Sequence, residues 1–340
     1  MPPYIPGQMR YISNSQLELL LECSWKHKLK YLDDIPEPTN EHLIIGASVH
    51  KGVEAYRIAQ MENRAQEWTE YQRNEIVLKA MNDEFDQIVF NASNGIVPEG
   101  VTSRSTAGIK WSRGMSEDIA RKLAKQLLAV YFYKPAESDI SGMSGKPLFM
   151  LEEPISIEED FLVPIPKTNN WYAKGRFDMR TKNGLVDLKT SKSKYTQRDM
   201  DKKTQPSFYT MALLAKTGEF VPDFYFHILI KPTRSVWAPD SGDPPPTQMG
   251  AYKAAVQRTR RSVGEIQWFV DLLRQQVRQI ELGTQVPRQN ADWCDYCAVA
   301  HACKPWLGGG HSPDDLLEFL RAELRGSAGA AEAADETKGF

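Results

Sequence analysis

The stretch "GRFDMRTKNGLVDLKT" sets Asp178, Asp187 and Lys189 around one polar turn. A hard divalent cation such as Mg²⁺ needs oxygen ligands in near-octahedral array, and two aspartates on adjacent strands supply them while water fills the rest. An ammonium beside the second aspartate then orients or helps deprotonate a metal-bound water, or stabilises the charge that grows on an attacked phosphate. That chemistry suits phosphodiester hydrolysis. His50 offers a nitrogen ligand, which makes such a site more hospitable to Mn²⁺. Gln205 and Tyr209 lie four apart, so on a helix they face one way and reach back over the preceding strand. The bland alternative is that Asp187 and Lys189 are the solvated face of a strand, and that His50, Gln205 and Tyr209 are surface or packing residues.

A second group is "CDYCAVAHAC", which spaces Cys294, Cys297 and Cys303 as C-x2-C-x5-C; Cys23 is the remaining cysteine of four. Four thiolates close a site around either Zn²⁺ or a cubane iron–sulfur cluster, and spacing leaves both open. The segment "SKSKYTQRDMDKK" adds Lys192, Lys194 and Arg198 as cations able to track a phosphate backbone, or simply to face water.

The elements that must position these groups follow from periodicity. Residues 11–32 read as a buried helix with Ser13 or Ser15 as N-cap and Cys23 inside or just after it. A Pro-rich loop, 33–42, leads to a helix opened by Gly46 or Ser48, with His50 near its start. Helical stretches at about 66–92 and 116–133 form an insertion at about 54–135. From residue 148 the period changes, and "FMLEEPISI", "WYAKGRFDMR" and "GLVDLKT" read as three strands. Lys182-Asn183-Gly184 is the hairpin turn, because Asn-Gly tolerates positive φ. Val186 and Leu188 then take one face of the strand, and Asp187 and Lys189 the other. A helix over 204–216, a buried strand "DFYFHILI" and a helix over about 248–282 precede the cysteines. A short helix at 312–324 and a disordered tail at 326–340 complete the chain.

With 340 residues, 41% of them hydrophobic and 25% charged, the chain has the composition of a globular protein able to bury a sizeable core. Its net charge of -2 supplies no global basic field, so any nucleic-acid surface is local. The sequence holds no long apolar run and no signal-peptide core at its start, so an intracellular location is expected, where thiols stay reduced.

The set "GASVH" ending at His50, "GRFD" ending at Asp178, "VDLKT" with Asp187 and Lys189, and "QPSFY" from Gln205 to Tyr209 resembles the PD-(D/E)XK nucleases of the RecB-like branch. The resemblance implies a metal-binding role for His50 and Asp178, a second acidic ligand in Asp187 and a catalytic lysine in Lys189. Gln205 and Tyr209 would support the site and contact DNA. Its iron–sulfur members, such as the AddB-type nuclease domain and the CRISPR adaptation exonucleases, place one cysteine upstream and three downstream. On that pattern Cys23, Cys294, Cys297 and Cys303 would hold a 4Fe-4S cluster that staples the two ends together. The implied fold is α/β: a mixed central β-sheet flanked by helices, with a restriction-endonuclease-like core at about 148–232. One nuclease domain spans 1–325, its C-terminal helix and cysteines at about 247–306. The implied activity is Mg²⁺- or Mn²⁺-dependent hydrolysis of DNA, exonucleolytic on single-stranded ends, in recombination, repair or CRISPR or phage DNA processing. No helicase P-loop is present, so any unwinding of duplex would fall to a partner, a helicase or a recombination or adaptation protein. The branch often carries a further acidic residue on the strand before "GRFD", where Glu152 and Glu153 are both available. The rivals are a non-catalytic DNA-binding accessory protein on the same fold and a zinc-stapled redox regulator.

Overall fold

The computed structural model describes residues 9–63, 67–96, 105–232, 252–288, 294, 297–300 and 302–303. The chain divides into two compact units, Met1–Arg288 and Gln289–Phe340. The helix expected at 312–324 and the tail expected at 326–340 lie outside the described residues. Among the described residues, no helix is long and apolar enough to cross a membrane.

In the first unit the elements run β1 (Arg10–Ile12), α1 (Asn14–Glu22), α2 (Ser24–Tyr31), β2 (Glu37–Asn40), α3 (Glu41–Glu62), α4 (Glu70–Ser93), β3 (Ser105–Lys110), α5 (Glu117–Tyr133) and β4 (Ala136–Glu137). They continue with β5 (Pro154–Pro164), β6 (Trp171–Thr181), β7 (Leu185–Ser191), α6 (Gln197–Lys202), α7 (Thr204–Thr217), β8 (Asp223–Ile230), β9 (Lys253–Arg260) and α8 (Val263–Leu282). Seven strands form one mixed sheet in the order β1-β6-β7-β8-β9-β4, with β5 paired to β6. The central β7–β8 pair is parallel, while β5–β6, β6–β7 and β8–β9 are antiparallel. This is the mixed sheet flanked by helices that the sequence leads one to expect.

Both faces of the sheet are covered, because β8 is apolar on both. Phe224, Phe226, Ile228 and Ile230 join a cluster with α1, α7 and α8, whereas Tyr225 and Leu229 join one with α3, α4 and α5. Each fully buried Phe, Ile or Leu contributes roughly 1.5–3 kcal/mol of transfer free energy. Val186 and Leu188 face the α3 layer as expected, but the opposite face of β7 is not solvated: Asp187 is 1% exposed.

Several boundaries differ from the sequence expectation. The first helix is broken at Cys23, which ends α1 and caps α2, its Sγ accepting from the Lys26 N–H at 3.4 Å. The third helix opens at Asn40, whose side chain accepts from Leu43 N–H, so Gly46 and His50 lie inside it. Gly46 faces β7, where a Cβ would make ordinary contact with Thr190 Oγ1 at 3.6 Å. Residues 33–42 and 54–135 each hold a strand, β2 and β3, paired in parallel. Residues 253–260, expected as helix, form β9, whose Ala254, Ala255 and Val256 are buried against β8; pairing with a central strand overrides the helix propensity of an Ala-containing segment.

A buried arginine fixes the approach to β5. Arg57 of α3 donates through Nε to Tyr131 Oη at 2.9 Å and through Nη1 to Gln60 Oε1 at 3.0 Å and the Glu152 carbonyl at 3.1 Å. It thereby ties α3 to α5 and to the segment that feeds β5, with its donors satisfied rather than buried unpaired.

Candidate active site

The β5–β6 ladder pairs Ile157 with Met179 and Glu159 with Phe177, which sets Glu158 opposite Asp178. Glu158 adopts φ 48°, a left-handed conformation that costs a non-glycine residue about 1–3 kcal/mol and is seen mostly at functional sites. Next to it, β6 and β7 pair only through Met179–Val186 and Arg180–Leu185. Beyond that point the strands part, and the Leu188 N–H donates to Asp178 Oδ2 at 3.0 Å instead of to a strand carbonyl. Into this opening α3 delivers His50, with Nδ1 3.4 Å from Asp178 Oδ2.

One ligand atom from each of His50, Glu158 and Asp178 lies within 4.8 Å of the others. Burial, then the charges of Asp178 and Glu54, push the Glu158 carboxyl up to about 8, with Arg176 and Lys51 opposing. Two carboxyls crowded beside an imidazole are the complement of a cation that is not supplied by the protein, so the donor set fits a divalent ion of the Mg²⁺ or Mn²⁺ type.

Asp187 lies outside that group of three but close enough to feel the charges of Asp178 and His50. Its Oδ1 accepts from Lys189 Nζ at 3.0 Å and from Gln205 Nε2 at 2.6 Å. Its Oδ2 stands 2.8 Å from Lys189 Nζ as an ion pair, yet among the described residues no donor points at it in hydrogen-bond geometry. Burial raises the Asp187 carboxyl above the usual range, and Lys189 offsets part of that rise. Burial alone would lower the Lys189 ammonium, but Asp187 and Asp178 outweigh it and hold it above its ordinary value. Lys189 is therefore a fixed positive charge at neutral pH. One turn along α7 from Gln205, the Tyr209 ring packs edge-on to Phe177 at 5.4 Å and Phe161 at 5.7 Å. Burial and the two aspartates raise its phenol, so Tyr209 stays neutral.

Two motif glycines make this geometry possible by leaving space. A Cβ on Gly175 would sit 2.5 Å from Phe161 Cζ, and one on Gly184 would sit 2.4 Å from the Asp223 carbonyl oxygen.

The structure thus gathers His50 with Asp178, and Asp187 with Lys189 and Gln205, with Tyr209 alongside. Sequence reasoning missed Glu158. Glu152 and Glu153, the two residues considered for a further acidic position, stand elsewhere: Glu152 is buried and Glu153 is exposed, and both line a cavity with Lys182 and Asn183. Of the basic residues, Lys192 and Arg198 are exposed, and Lys194 is held by Glu137 at 2.9 Å. In the second unit the Cys297 N–H donates to the Cys294 carbonyl at 3.3 Å, and the Cys303 N–H to the Val299 carbonyl at 3.2 Å. Among the described residues, the sole group of three ligand atoms within 4.8 Å is the His50 set, which contains no cysteine.

A mixed sheet whose strands part to present acidic residues, with a lysine two positions after one of them, defines a class of α/β proteins built around a metal-ready cleft. The chain matches the PD-(D/E)XK nuclease superfamily over residues 11–304 and belongs to it. No curated protein matches the chain. Among solved structures it is similar to the alkaline exonuclease LHK-Exo of Laribacter hongkongensis, at 18% identity and a TM-score of 0.20, over 38% of this chain and 61% of that one. The match thus spans less than two thirds of that exonuclease.

Proposed function

We propose that this chain is a metal-dependent deoxyribonuclease that degrades single-stranded DNA from its ends. The observation that carries the reading is the convergence of His50, Glu158 and Asp178 beside the Asp187–Lys189 pair. In hydrolysis a water oxygen bonds to phosphorus, a phosphorus–oxygen ester bond breaks, and the leaving oxygen takes up a proton. His50, Glu158, Asp178 and Asp187 are the residues that would hold Mg²⁺ or Mn²⁺, and the cation supplies Lewis acidity at the phosphate. Lys189, charged and 29% exposed at its side chain, stabilises the negative charge that grows on the phosphoryl oxygens. Gln205 holds the Asp187 carboxylate in place, and neutral Tyr209 walls the site. Lys192, Lys194 and Arg198 track the DNA backbone. The preference for ends rests on the resemblance of the motif set to the RecB-like branch. The test is an assay of end-labelled single- and double-stranded DNA with Mg²⁺, Mn²⁺ or chelator. Metal-dependent release of short products from single strands is expected; intact DNA in both metals, or cleavage indifferent to chelator, contradicts the reading.

The same reading assigns Cys23, Cys294, Cys297 and Cys303 to a 4Fe-4S cluster. Its support is that the chain has four cysteines with no remainder, and that Cys23 stands at a helix break rather than in a helix interior. In a cubane each thiolate binds a different iron, so its sulfurs stand farther apart than around a single Zn²⁺. A brown anaerobic preparation with iron and acid-labile sulfide is expected, lost together with thermal stability in Cys23→Ala. A colourless zinc protein, or full iron content in Cys23→Ala, contradicts it.

A further inference from the structure

The parallel strands β7 and β8 end together. Ser191 is in register with Ile230, and the Lys231 N–H donates to the Ser191 carbonyl at 2.8 Å. Lys192 and Lys231 therefore leave the sheet side by side, at the carboxyl ends of parallel strands, where open α/β sheets bind ligands. Lys231 is only 9% exposed. Among the described residues, no ion pair or side-chain hydrogen bond engages it, and its Nζ is not among the buried unpaired atoms, so the mostly buried stem ends in an ammonium that reaches solvent. Burial, then the charge of Lys192, lower its pKa against the pull of Glu41.

His42, in the first turn of α3, shares this locality. Burial, then Lys231, lower its pKa, and Lys192 adds to the effect while Glu41 opposes it. Glu41 is the carboxylate that opposes both shifts, and it is already engaged: its Oε2 accepts the Ser112 N–H at 3.3 Å and its Oε1 lies 3.9 Å from His42 Nε2. Two lysines at adjacent strand ends and an imidazole thus lie within electrostatic reach of Glu41, a carboxylate already engaged by the Ser112 N–H and His42.

We infer that Lys192, Lys231 and His42 form a phosphate clamp that holds a backbone phosphate of the DNA strand beside the phosphodiester being cut. The inference rests on the nuclease reading and extends it to substrate positioning. Lys192 lies three residues beyond Lys189, which at the strand rise of about 3.3 Å per residue is roughly 10 Å along the chain. His42 and His50 share α3, so the clamp and the metal-binding cleft are fixed to one rigid element. Lysine binds phosphate as a point charge, and the neutral imidazole contributes a hydrogen-bond donor.

The test is DNA binding by fluorescence anisotropy with Ca²⁺ replacing the catalytic metal, on single-stranded oligonucleotides bearing a 5′-phosphate or a 5′-hydroxyl, across a salt series. Lys231→Met and Lys192→Met are each expected to weaken binding about five- to tenfold and to lower the log–log salt slope by about 0.7 per lost contact. Mn²⁺ affinity and melting temperature should stay parental in Lys192→Met, and Lys79→Met on α4 should bind DNA as the parent does. A loss confined to the 5′-phosphorylated strand identifies a terminal phosphate, and an equal loss on both identifies an internal phosphodiester; either supports the clamp. Lys192 and His42 are at the surface, so Lys192→Met/His42→Ala keeps the test decisive if Lys231→Met proves unstable. Parental affinity and slope in that double variant overturn the clamp. A parent protein that binds neither oligonucleotide overturns the nuclease reading itself, and the clamp with it.

Discussion

Glu158 concentrates strain and charge. It holds a left-handed backbone in the middle of a ladder, and its carboxyl is crowded by Asp178. In the metal-free protein that crowding is a cost; on the proposed reading a bound divalent cation would turn it into affinity. Glu158→Gln is therefore expected to melt at or above the parental temperature without metal, yet to bind Mn²⁺ at least about tenfold more weakly by calorimetry. Parental Mn²⁺ affinity in this variant would remove Glu158 from the site. The two aspartates, Lys189 and His50 are legible in the sequence because each sits in a short motif of fixed spacing. Glu158 is not, since it is one of several acids before "GRFD" and only the register of β5 against β6 selects it.

At the scale of elements, the opening between β6 and β7 depends on glycines at two close approaches. Gly175→Ala presses on a buried phenylalanine side chain rather than on backbone, so a loss of about 1–3 kcal/mol is expected, partly recovered by adding Phe161→Leu. Gly184→Ala presses on the backbone carbonyl of Asp223, which cannot turn, and should cost more. Chemical denaturation of the three variants ranks these effects; an equal or smaller loss for Gly184→Ala would contradict the account of the turn. The sequence locates this turn by the positive φ that an Asn-Gly pair tolerates. Asn183 is not among the residues with positive φ, but Gly184 adopts φ 157°, and it also leaves the space that the Asp223 carbonyl needs. The strands β5 to β8 are legible from alternation and β-branched or aromatic content. By contrast, β9 is hidden, because "KAAVQRTR" takes its conformation from β8 rather than from its own propensity.

At the scale of the whole molecule, two buried histidines set the acid limit. Burial lowers His27 to about 4 and lowers His227, which also feels Arg57, to about 3, from an ordinary value of 6.5. Because the folded values are depressed, the unfolded chain binds protons first as pH falls. Stability is full above about pH 6.5 and is lost progressively down to the folded values. Each histidine should remove on the order of 2 kcal/mol between pH 7 and pH 5. His27→Phe is expected to flatten that limb in denaturant titrations at the two pH values, and an unchanged pH dependence would show that His27 is not buried neutral. The layered α/β architecture was legible because strand alternation, a change of period at residue 148 and long amphipathic helices agree. Less legible was how deeply the Asp187–Lys189 pair sits, because a polar pair on a strand looks solvated until α7 is laid over it and leaves Asp187 1% exposed.

The central claim is that Asp187 belongs to the metal-binding set while Lys189 acts on the phosphate. It is tested most directly by single-turnover cleavage of end-labelled single-stranded DNA in saturating Mn²⁺, with metal occupancy measured on the same samples. Lys189→Ala is predicted to bind Mn²⁺ and DNA yet cleave at least about a hundredfold more slowly, the usual scale for a positioned electrostatic group. Asp187→Ala is predicted to fail at metal binding as well. Cleavage by Lys189→Ala at the parental rate would contradict the account and return Asp187 and Lys189 to an ion pair of the fold.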